Sequence, residues 1–286
     1  MSVMFENLGQ QLGNLAANNL QRDALKWLNG KLQHTLDEQS ARALYLTYSL
    51  CNAKVPASPL KDFSEITDAL KNYLIRHQAD TLKIARIFLL HQVLVNTKAF
   101  IPAVQNLVQV ADKQELETLL RYLCLLPNPE DFKFTAVEAL RSNIVSVFEA
   151  IACQNPYPAQ YFDDQQWNQM YLKAAFLQLD LSNILAIEKR ANTKLARIIS
   201  DYAHERWAAS RAVSPLLWRP VSQFIDDSLL KDLHRLFESD NVNERRAAAL
   251  VCDNSSSKRA KILLEGYPEL KKQLVQENID WCNFKA

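Results

Sequence analysis

Three side chains capable of acid-base chemistry lie close together in the sequence, at Asp201, His204 and Glu205. Residues that are three and four positions apart share one face of a helix, so these side chains form one polar cluster. Such a cluster could hold a ligand or, with less support, a metal ion. The zinc pattern H-E-x-x-H is not completed, because Ala208 occupies the place of the second histidine.

The same part of the chain is rich in basic residues. Between Glu188 and Pro220 there are seven basic and three acidic residues, which gives a local charge of +4. Arginine binds phosphate and carboxylate groups through two parallel hydrogen bonds, so an anionic ligand fits this tract. Alternatively, the carboxylates of the polar cluster form structural ion pairs with Arg197, Arg206 or a neighbouring helix. The basic residues are Lys189, Arg190, Lys194, Arg197, Arg206, Arg211 and Arg219.

Aromatic residues precede the basic tract. A proline-framed connection at residues 155–162 contains Tyr157, Tyr161 and Phe162, and Trp167 follows it. The rings could form a wall for an apolar or planar ligand. They could also fix the connection onto the hydrophobic core, which is the commoner role of such rings.

Glycine is absent from residues 31–265, and the whole chain of 286 residues has only four glycines. Phosphate-binding loops, dinucleotide-binding fingerprints and nucleophile elbows need glycine, because their backbone leaves no room for a Cβ atom. The sequence also lacks a recognisable catalytic triad or metal-ligand set. We therefore predict no catalytic residue, no metal and no cofactor, and an enzyme acting on an anionic small metabolite stays an alternative that rests on the polar cluster alone.

Charge and cysteine content limit the partners and the compartment. The net charge of +1 provides no overall field for nucleic acid, so we predict no nucleic-acid partner. The five cysteines are odd in number and include no C-x-x-C pair, which is typical of reduced thiols in the cytoplasm.

The sequence contains no pattern for export or for a membrane span. Residues 1–21 carry no lysine or arginine, so we expect no secretory signal. The most apolar segment, residues 84–95, is interrupted by Arg86 and His91 and is shorter than the roughly 20 apolar residues that a span needs. We therefore predict a cytoplasmic protein that does not span a membrane.

Apolar residues recur at helical spacing along almost the whole chain, and the alternation typical of strands is hard to find. We predict an all-α fold, built as an irregular stack of antiparallel helical hairpins with short connections that proline marks. Helix starts are predicted at residues that cap helices well. These are Asp80, Asp112 with Glu115, Asp164, and Ser214 with Pro215.

Residues 226–264 indicate the architecture more closely. Two apolar helical stripes are separated by a polar break at residues 239–241, which is typical of a helical hairpin. The hairpin is similar to a HEAT repeat, with Asp240, Val242 and Arg245 near positions that this motif uses. We therefore predict a HEAT-like superhelix.

No regular period of about 40 residues extends along the rest of the chain, so a regular solenoid is not expected. We divide the chain into an N-terminal helical half at residues 1–153 and a C-terminal, HEAT-like half at residues 154–286. We expect the two halves to form one continuous domain.

Motifs in the C-terminal half resemble those of the EboA family, and they occur in the family's order between residues 155 and 264. The N-terminal half carries no motif of this kind. The motifs are Asn155-Pro156-Tyr157-Pro158, Trp167-Asn168-Gln169-Met170 with Lys173-Ala174, Arg190-Ala191-Asn192, Asp201-Tyr202-Ala203-His204-Glu205-Arg206, Ser214-Pro215, Leu217-Trp218-Arg219 and Glu244-Arg245-Arg246-Ala247-Ala248-Ala249-Leu250.

The resemblance implies a bacterial accessory protein encoded beside other members of an Ebo cluster. Those members include a membrane prenyltransferase-like protein and hydrolase- or isomerase-like enzymes. The family is linked to the movement of a secondary-metabolite precursor from the cytoplasm towards the periplasm. The implied partners are the other Ebo-cluster proteins and a small anionic or prenylated metabolite.

No catalytic residue carries over from the family, and the matching positions give only candidate ligand-binding residues. We hypothesise a non-catalytic protein that binds a metabolite precursor or partner proteins. A protein–protein scaffold without a small-molecule site is the main alternative. The candidate residues are Trp167, Lys173, Arg190, Asn192, Asp201, His204, Glu205 and Arg206.

Overall fold

The computed structural model describes residues 7–284. These residues are mostly helical and contain no β-strand, so the all-α prediction is confirmed. The chain divides into two compact units, the first ending at Tyr157 and the second beginning at Pro158.

The described part of the first unit consists of helices joined by short connections. Three of those connections contain a 3-10 helix, at Lys98–Phe100, Leu123–Leu125 and Pro129–Phe132. The α-helices are α1 (Leu8–Asn19), α2 (Arg22–Glu38), α3 (Ala41–Lys54), α4 (Asp68–Arg76), α5 (Thr81–Asn96), α6 (Ile101–Val110), α7 (Lys113–Arg121), α8 (Lys133–Ala139) and α9 (Val145–Ala152).

Helix α5 is the centre of the first unit, because it contacts α1, α2, α3 and α7. Most of its side chains are buried, as expected of a helix that is apolar on nearly every face. Arg86 of α5 is buried too, and its Nη2 atom lies 3.4 Å from Oε1 of Glu115 on α7. A buried charge needs such a partner. Arg86, which interrupts the apolar segment, thus belongs to an internal ion pair.

None of the helices in residues 7–284 has both the length and the apolar composition that a bilayer span requires. Helix α5, which contains the apolar segment noted above, has 16 residues and includes Arg86 and His91. The prediction that these helices do not span a membrane agrees with this finding.

The second unit is helical as well. Helix α10 (Tyr157–Tyr161) begins at the last residue of the first unit. The other α-helices are α11 (Asp164–Phe176), α12 (Ile187–Arg190), α13 (Thr193–Ala208), α14 (Asp227–Phe237), α15 (Val242–Asp253), α16 (Lys258–Glu265) and α17 (Pro268–Gln276), and 3-10 helices occur at Leu181–Asn183 and Pro215–Val221.

Helix α15 is the centre of the second unit. It contacts α14, α16, α17 and the 3-10 helix Pro215–Val221. The small side chains of residues 247–249 are fully buried, which lets these neighbours approach closely. Helix α13 packs against α11, α14 and Pro215–Val221. The predicted helices on either side of residues 239–241 are present as α14 and α15, and the HEAT-like superhelix stays a prediction.

Two predicted helix starts are confirmed by side-chain caps. Asp80 accepts a hydrogen bond from the amide of Lys83 at the start of α5. Asp112 and Glu115 form a reciprocal capping box at the start of α7. In both cases the carboxylate satisfies an amide that has no partner within the helix.

Helix α11 begins at Asp164, as predicted, but its capping residue is Asp163. Asp163 accepts the hydrogen bond from the amide of Gln166, and the Gln166 side chain completes a capping box, so Asp164 lies in the first turn. Ser214 does precede a helix, but that helix is the 3-10 helix Pro215–Val221, and the Ser214 side chain makes no capping hydrogen bond.

Helices α2 to α15 end without glycine. After α11, the amide of Gln178 donates to the Ala175 carbonyl and the amide of Leu179 donates to the Ala174 carbonyl. This pair of bonds is a Schellman motif, whose left-handed residue is usually glycine because a Cβ atom strains that conformation. Left-handed residues between positions 31 and 265 are Gln39, Gln78, Asn128, Gln154, Gln178, Ala186 and Ser210.

We expect Gln178→Gly to raise the free energy of unfolding by about 0.5 to 1 kcal/mol, because glycine adopts the left-handed conformation without steric cost. Gln169→Gly, at an exposed interior position of the same helix, should instead lower it by about 1 kcal/mol. Denaturant unfolding of the two variants measures both effects, and a destabilised Gln178→Gly protein would contradict the argument.

Two histidines, His77 and His91, are buried in the first unit. Burial lowers the pKa of each to about 4, and for His77 the positive charge of Arg121 acts in the same direction. Nε2 of His77 lies 3.1 Å from the carbonyl oxygen of Gln154, and Nδ1 of His91 has no hydrogen-bond partner among the described residues. Both side chains are therefore neutral at pH 7.

An unfolded histidine has a pKa near 6.5, so below that pH the unfolded chain binds protons that folded His77 and His91 do not bind. The free energy of unfolding should therefore fall as the pH decreases from about 6.5 towards 4, by up to about 3 kcal/mol for each histidine. Denaturant unfolding at pH 7.5 and 4.5 measures the fall. His91→Gln should make it smaller, and an equal fall in that variant would contradict the role of His91.

Candidate functional site

Helix α13 places His204 at the surface of the second unit, where its side chain is 54% exposed. Nε2 of His204 lies 2.5 Å from Oδ1 of Asp232 on α14, whose side chain is 3% exposed. A carboxylate only accepts hydrogen bonds, so Nε2 carries the proton and donates it. Nδ1 has no hydrogen-bond partner among residues 7–284.

Ser200 binds the other oxygen of the same carboxylate. Its hydroxyl donates to Oδ2 of Asp232 over 2.5 Å. Asp232 thus lies between Ser200 and His204, whereas in a serine hydrolase the histidine lies between the serine and the carboxylate. His204 is therefore not placed to take a proton from Ser200, and Asp232 instead fixes the orientation of both side chains.

Trp207 lies one turn after His204 and contacts both the His204 ring and the side chain of Arg235. The guanidinium of Arg235 on α14 lies over the Trp207 ring, 4.3 Å from its centroid, and the His204 ring lies 5.6 Å away. Arg235 is exposed and has no hydrogen-bond or ion-pair partner among the described residues. The cation–π contact therefore orients Arg235 and leaves its N–H groups available.

The buried ring of Trp218 supports this arrangement from the 3-10 helix Pro215–Val221. Its centroid lies 5.8 Å from that of Trp207 at an interplanar angle of 19°. Trp218 is fully buried and anchors the half-buried Trp207 to the core. We call His204, Trp207, Asp232 and Arg235 the α13–α14 surface.

Two other candidates, Trp167 and Arg190, contact each other. The Arg190 guanidinium lies 5.0 Å from the centroid of the Trp167 ring. Its Nη1 atom donates to the carbonyl oxygens of Pro158 and Ala159 at 3.1 and 3.0 Å, and Nη2 donates to Asp164 at 3.2 Å. Arg190 therefore holds the segment before α11 in place, and these bonds occupy much of its donor capacity.

The rings considered as a possible aromatic wall are largely buried. Tyr157, Phe162 and Trp167 are at most 5% exposed. They pack in the cores of their units, which agrees with the alternative that these rings fix the connection onto the hydrophobic core. Phe176, at the end of α11, is the contrast, with 66% exposure.

Two further candidates, Asn192 and Lys173, lie on or next to helices α13 and α11. Asn192 caps α13 by accepting a hydrogen bond from the Leu195 amide, and its side chain exchanges two hydrogen bonds with that of Asn168 on α11, at 2.9 and 3.1 Å. This amide pair joins α11 to α13. Lys173 lies on α11, where partial burial lowers its pKa.

The remaining candidates lie on α13. Asp201 and Glu205 are exposed, and within residues 7–284 neither forms the ion pair that the sequence suggested as an alternative. Arg206 donates through Nε and Nη2 to the carbonyl oxygen of Ala212, at 3.1 and 2.9 Å, and so closes the turn after α13. Of the eight candidates, only His204 belongs to the α13–α14 surface.

Sequence reasoning missed the residues that complete this surface. Asp232 and Arg235 lie 28 and 31 positions after His204, too far for a local pattern to connect them. A signal for Asp232 was nonetheless present, because it lies beside Leu229, Leu233 and Leu236 on the apolar face of α14. A carboxylate on a buried face requires a polar partner from a neighbouring helix.

The arrangement is suited to holding an anion. Arg235 supplies an oriented guanidinium, and His204 and Trp207 add a fixed imidazole and an indole beside it. No group of three or more His, Cys, Asp or Glu side chains in the described chain is placed to hold a metal ion.

Fold and site together define an all-α protein with a preorganised polar and aromatic surface. A family model described as "Metabolite traffic protein EboA" matches residues 8–222, and the chain belongs to this family. Comparisons with curated proteins and with solved structures give no match.

The matched range differs from residues 155–264, which contain the motifs that resemble the family. It begins in α1 and includes most of the first unit, where the sequence showed only helical pattern. It ends just after the 3-10 helix Pro215–Val221, so the motif at residues 244–250 lies beyond it. His204 and Trp207 are inside the matched range, and Asp232 and Arg235 are outside it.

We expect Asp232→Ala to lower the free energy of unfolding by about 2 kcal/mol, because it leaves the buried Ser200 hydroxyl without its acceptor. Asp201→Ala removes the same side chain from an exposed position of α13 and should change stability by less than about 0.5 kcal/mol. Thermal and denaturant unfolding compare the two, and equal effects would contradict a supporting role for Asp232.

Proposed function

We propose that this protein is a non-catalytic binding protein in metabolite traffic, and that it holds an anionic metabolite at the α13–α14 surface. The observation that carries the proposal is the exposed Arg235 guanidinium, oriented by Trp207 and without a partner among the described residues, beside a histidine fixed by a buried carboxylate. The family's description as a metabolite traffic protein agrees with such a role.

An anion is the ligand that this chemistry favours. A guanidinium offers paired N–H donors to a carboxylate or phosphate. Helix α14 already holds the guanidinium over the Trp207 ring, so little side-chain entropy is lost when the ligand binds. Nδ1 of His204 can accept a hydrogen bond from a hydroxyl or amide of the ligand when the imidazole is neutral.

The same geometry supports binding rather than catalysis. Ser200 is buried and donates a hydrogen bond to Asp232, and His204 is not placed to take its proton, so Ser200 is not arranged as a nucleophile. His204 is oriented, but no nucleophile is in contact with it in the described chain. An enzyme acting on an anionic metabolite is therefore the weaker proposal.

The finer features of the role follow from the resemblance and are part of the proposal. The protein would act in the cytoplasm, together with other proteins of the Ebo cluster, and would pass a secondary-metabolite precursor towards the periplasm. A scaffold that binds only those proteins is the alternative function.

The test is recovery of the bound metabolite. The full chain, purified under native conditions from cells that carry the whole cluster, should release a small anionic compound detectable by mass spectrometry. His204→Ala and Arg235→Ala should each reduce the recovered compound at least fivefold, because each removes a polar group of the α13–α14 surface.

Lys194→Ala is the matched control. It removes an exposed positive charge from the first turn of α13 and should leave recovery unchanged. Equal losses in all three variants would indicate an unspecific charge effect. Recovery of cluster proteins without any small molecule would favour the scaffold and contradict the proposed site.

A further inference from the structure

One face of helix α2 in the first unit has an open, shallow groove around Gly30, and every residue that lines it belongs to α2. Its lining residues recur at intervals of three and four positions, the spacing of one side of a helix. The same helix buries Ala24, Leu28 and Thr35 in the core. The lining residues are Asp23, Lys26, Trp27, Gly30, Lys31 and His34.

Gly30 leaves bare backbone in the middle of this groove. A Cβ atom built at Gly30 would meet no other atom within 4 Å, so packing does not require glycine there. Glycine inside a helix destabilises it relative to alanine. Gly9 is the contrast, since a Cβ atom there would lie 2.9 Å from Cε1 of His91.

Trp27 and two lysines give the groove a defined chemistry. The Trp27 ring is half-buried, which leaves part of the indole at the surface. Neither Lys26 nor Lys31 has a hydrogen-bond or ion-pair partner among residues 7–284. Asp23 is the one acidic lining residue, and Nε2 of His34 lies 3.4 Å from Oε1 of Glu38.

We propose that this groove is a second ligand site, which takes a planar aromatic carboxylate. The ring would stack against Trp27 and lie over the backbone at Gly30, where a Cβ atom would obstruct it. The carboxylate would lie near Lys26 and Lys31, whose ammonium groups are free to pair with it. The site lies in the first unit and shares no residue with the α13–α14 surface, so it goes beyond the proposed function.

Titration of the full chain with 2-naphthoate tests the site. The chain has five tryptophans, so the indole N–H signals in a ¹⁵N–¹H spectrum are few, and Trp27→Phe identifies the signal of Trp27. We expect a saturable shift of that signal. Gly30→Ala should weaken binding at least tenfold while the melting temperature stays equal or rises.

Gly13→Ala is the matched control, because it changes another helix glycine whose added Cβ atom would be at an ordinary contact distance of 3.8 Å from Phe88. It should leave the affinity for 2-naphthoate unchanged. An equal affinity of Gly30→Ala and the parent protein would overturn the proposal.

A lysine variant and a neutral ligand test whether binding requires the two positive charges and the carboxylate. The double variant Lys26→Gln with Lys31→Gln should bind 2-naphthoate at least fivefold more weakly, and this variant decides the matter if Gly30→Ala lowers the melting temperature. Neutral 2-naphthalenemethanol should also bind at least fivefold more weakly than 2-naphthoate. Equal binding of the neutral compound, or no saturable shift at Trp27, would overturn the proposal.

The experiments distinguish a failure of the α2 site from a failure of the α13–α14 surface. His204→Ala and Arg235→Ala belong to the second unit and should leave 2-naphthoate binding at α2 unchanged. Loss of binding in those variants would contradict an independent site on α2.

Discussion

Every residue between positions 31 and 265 carries a Cβ atom, and this constrains how the chain can turn. Glutamine, asparagine, alanine and serine take the left-handed conformation at which helices end or connections reverse, although each does so with some strain. Several helices and connections therefore turn at left-handed residues other than glycine. Glycine loops, in which a ligand approaches the backbone closely, are absent from this stretch, so we expect ligand contacts here to rely mainly on side chains.

Buried polar groups then fix how the helices of each unit meet. In the first unit, Arg86 of α5 pairs with Glu115 of α7. In the second, Asp232 of α14 accepts hydrogen bonds from Ser200 and His204 of α13. A buried charged group is costly to leave without its partner, so each of these contacts favours one arrangement of its two helices. Only the second reaches the surface, which is why it can orient a side chain that is open to a ligand.

The two proposed sites use the same chemistry in different ways. On the α13–α14 surface, the indole of Trp207 orients Arg235, and the cation comes from a second helix. On α2, Trp27 and both lysines belong to one helix, and Gly30 provides the space that a side chain would fill. Both combine an indole with positive charge, which suits anions that carry an apolar part.

The sequence by itself determined the all-α class, most helix positions and the caps at Asp80 and Asp112, because helical periodicity and capping depend on residues within a few positions of each other. It also placed His204 among the candidates. Only the tertiary structure decided that Arg190 and Asn192 make internal contacts and that His204 pairs with Asp232. Those contacts join residues far apart in the chain, and packing between helices brings them together, which no local pattern encodes.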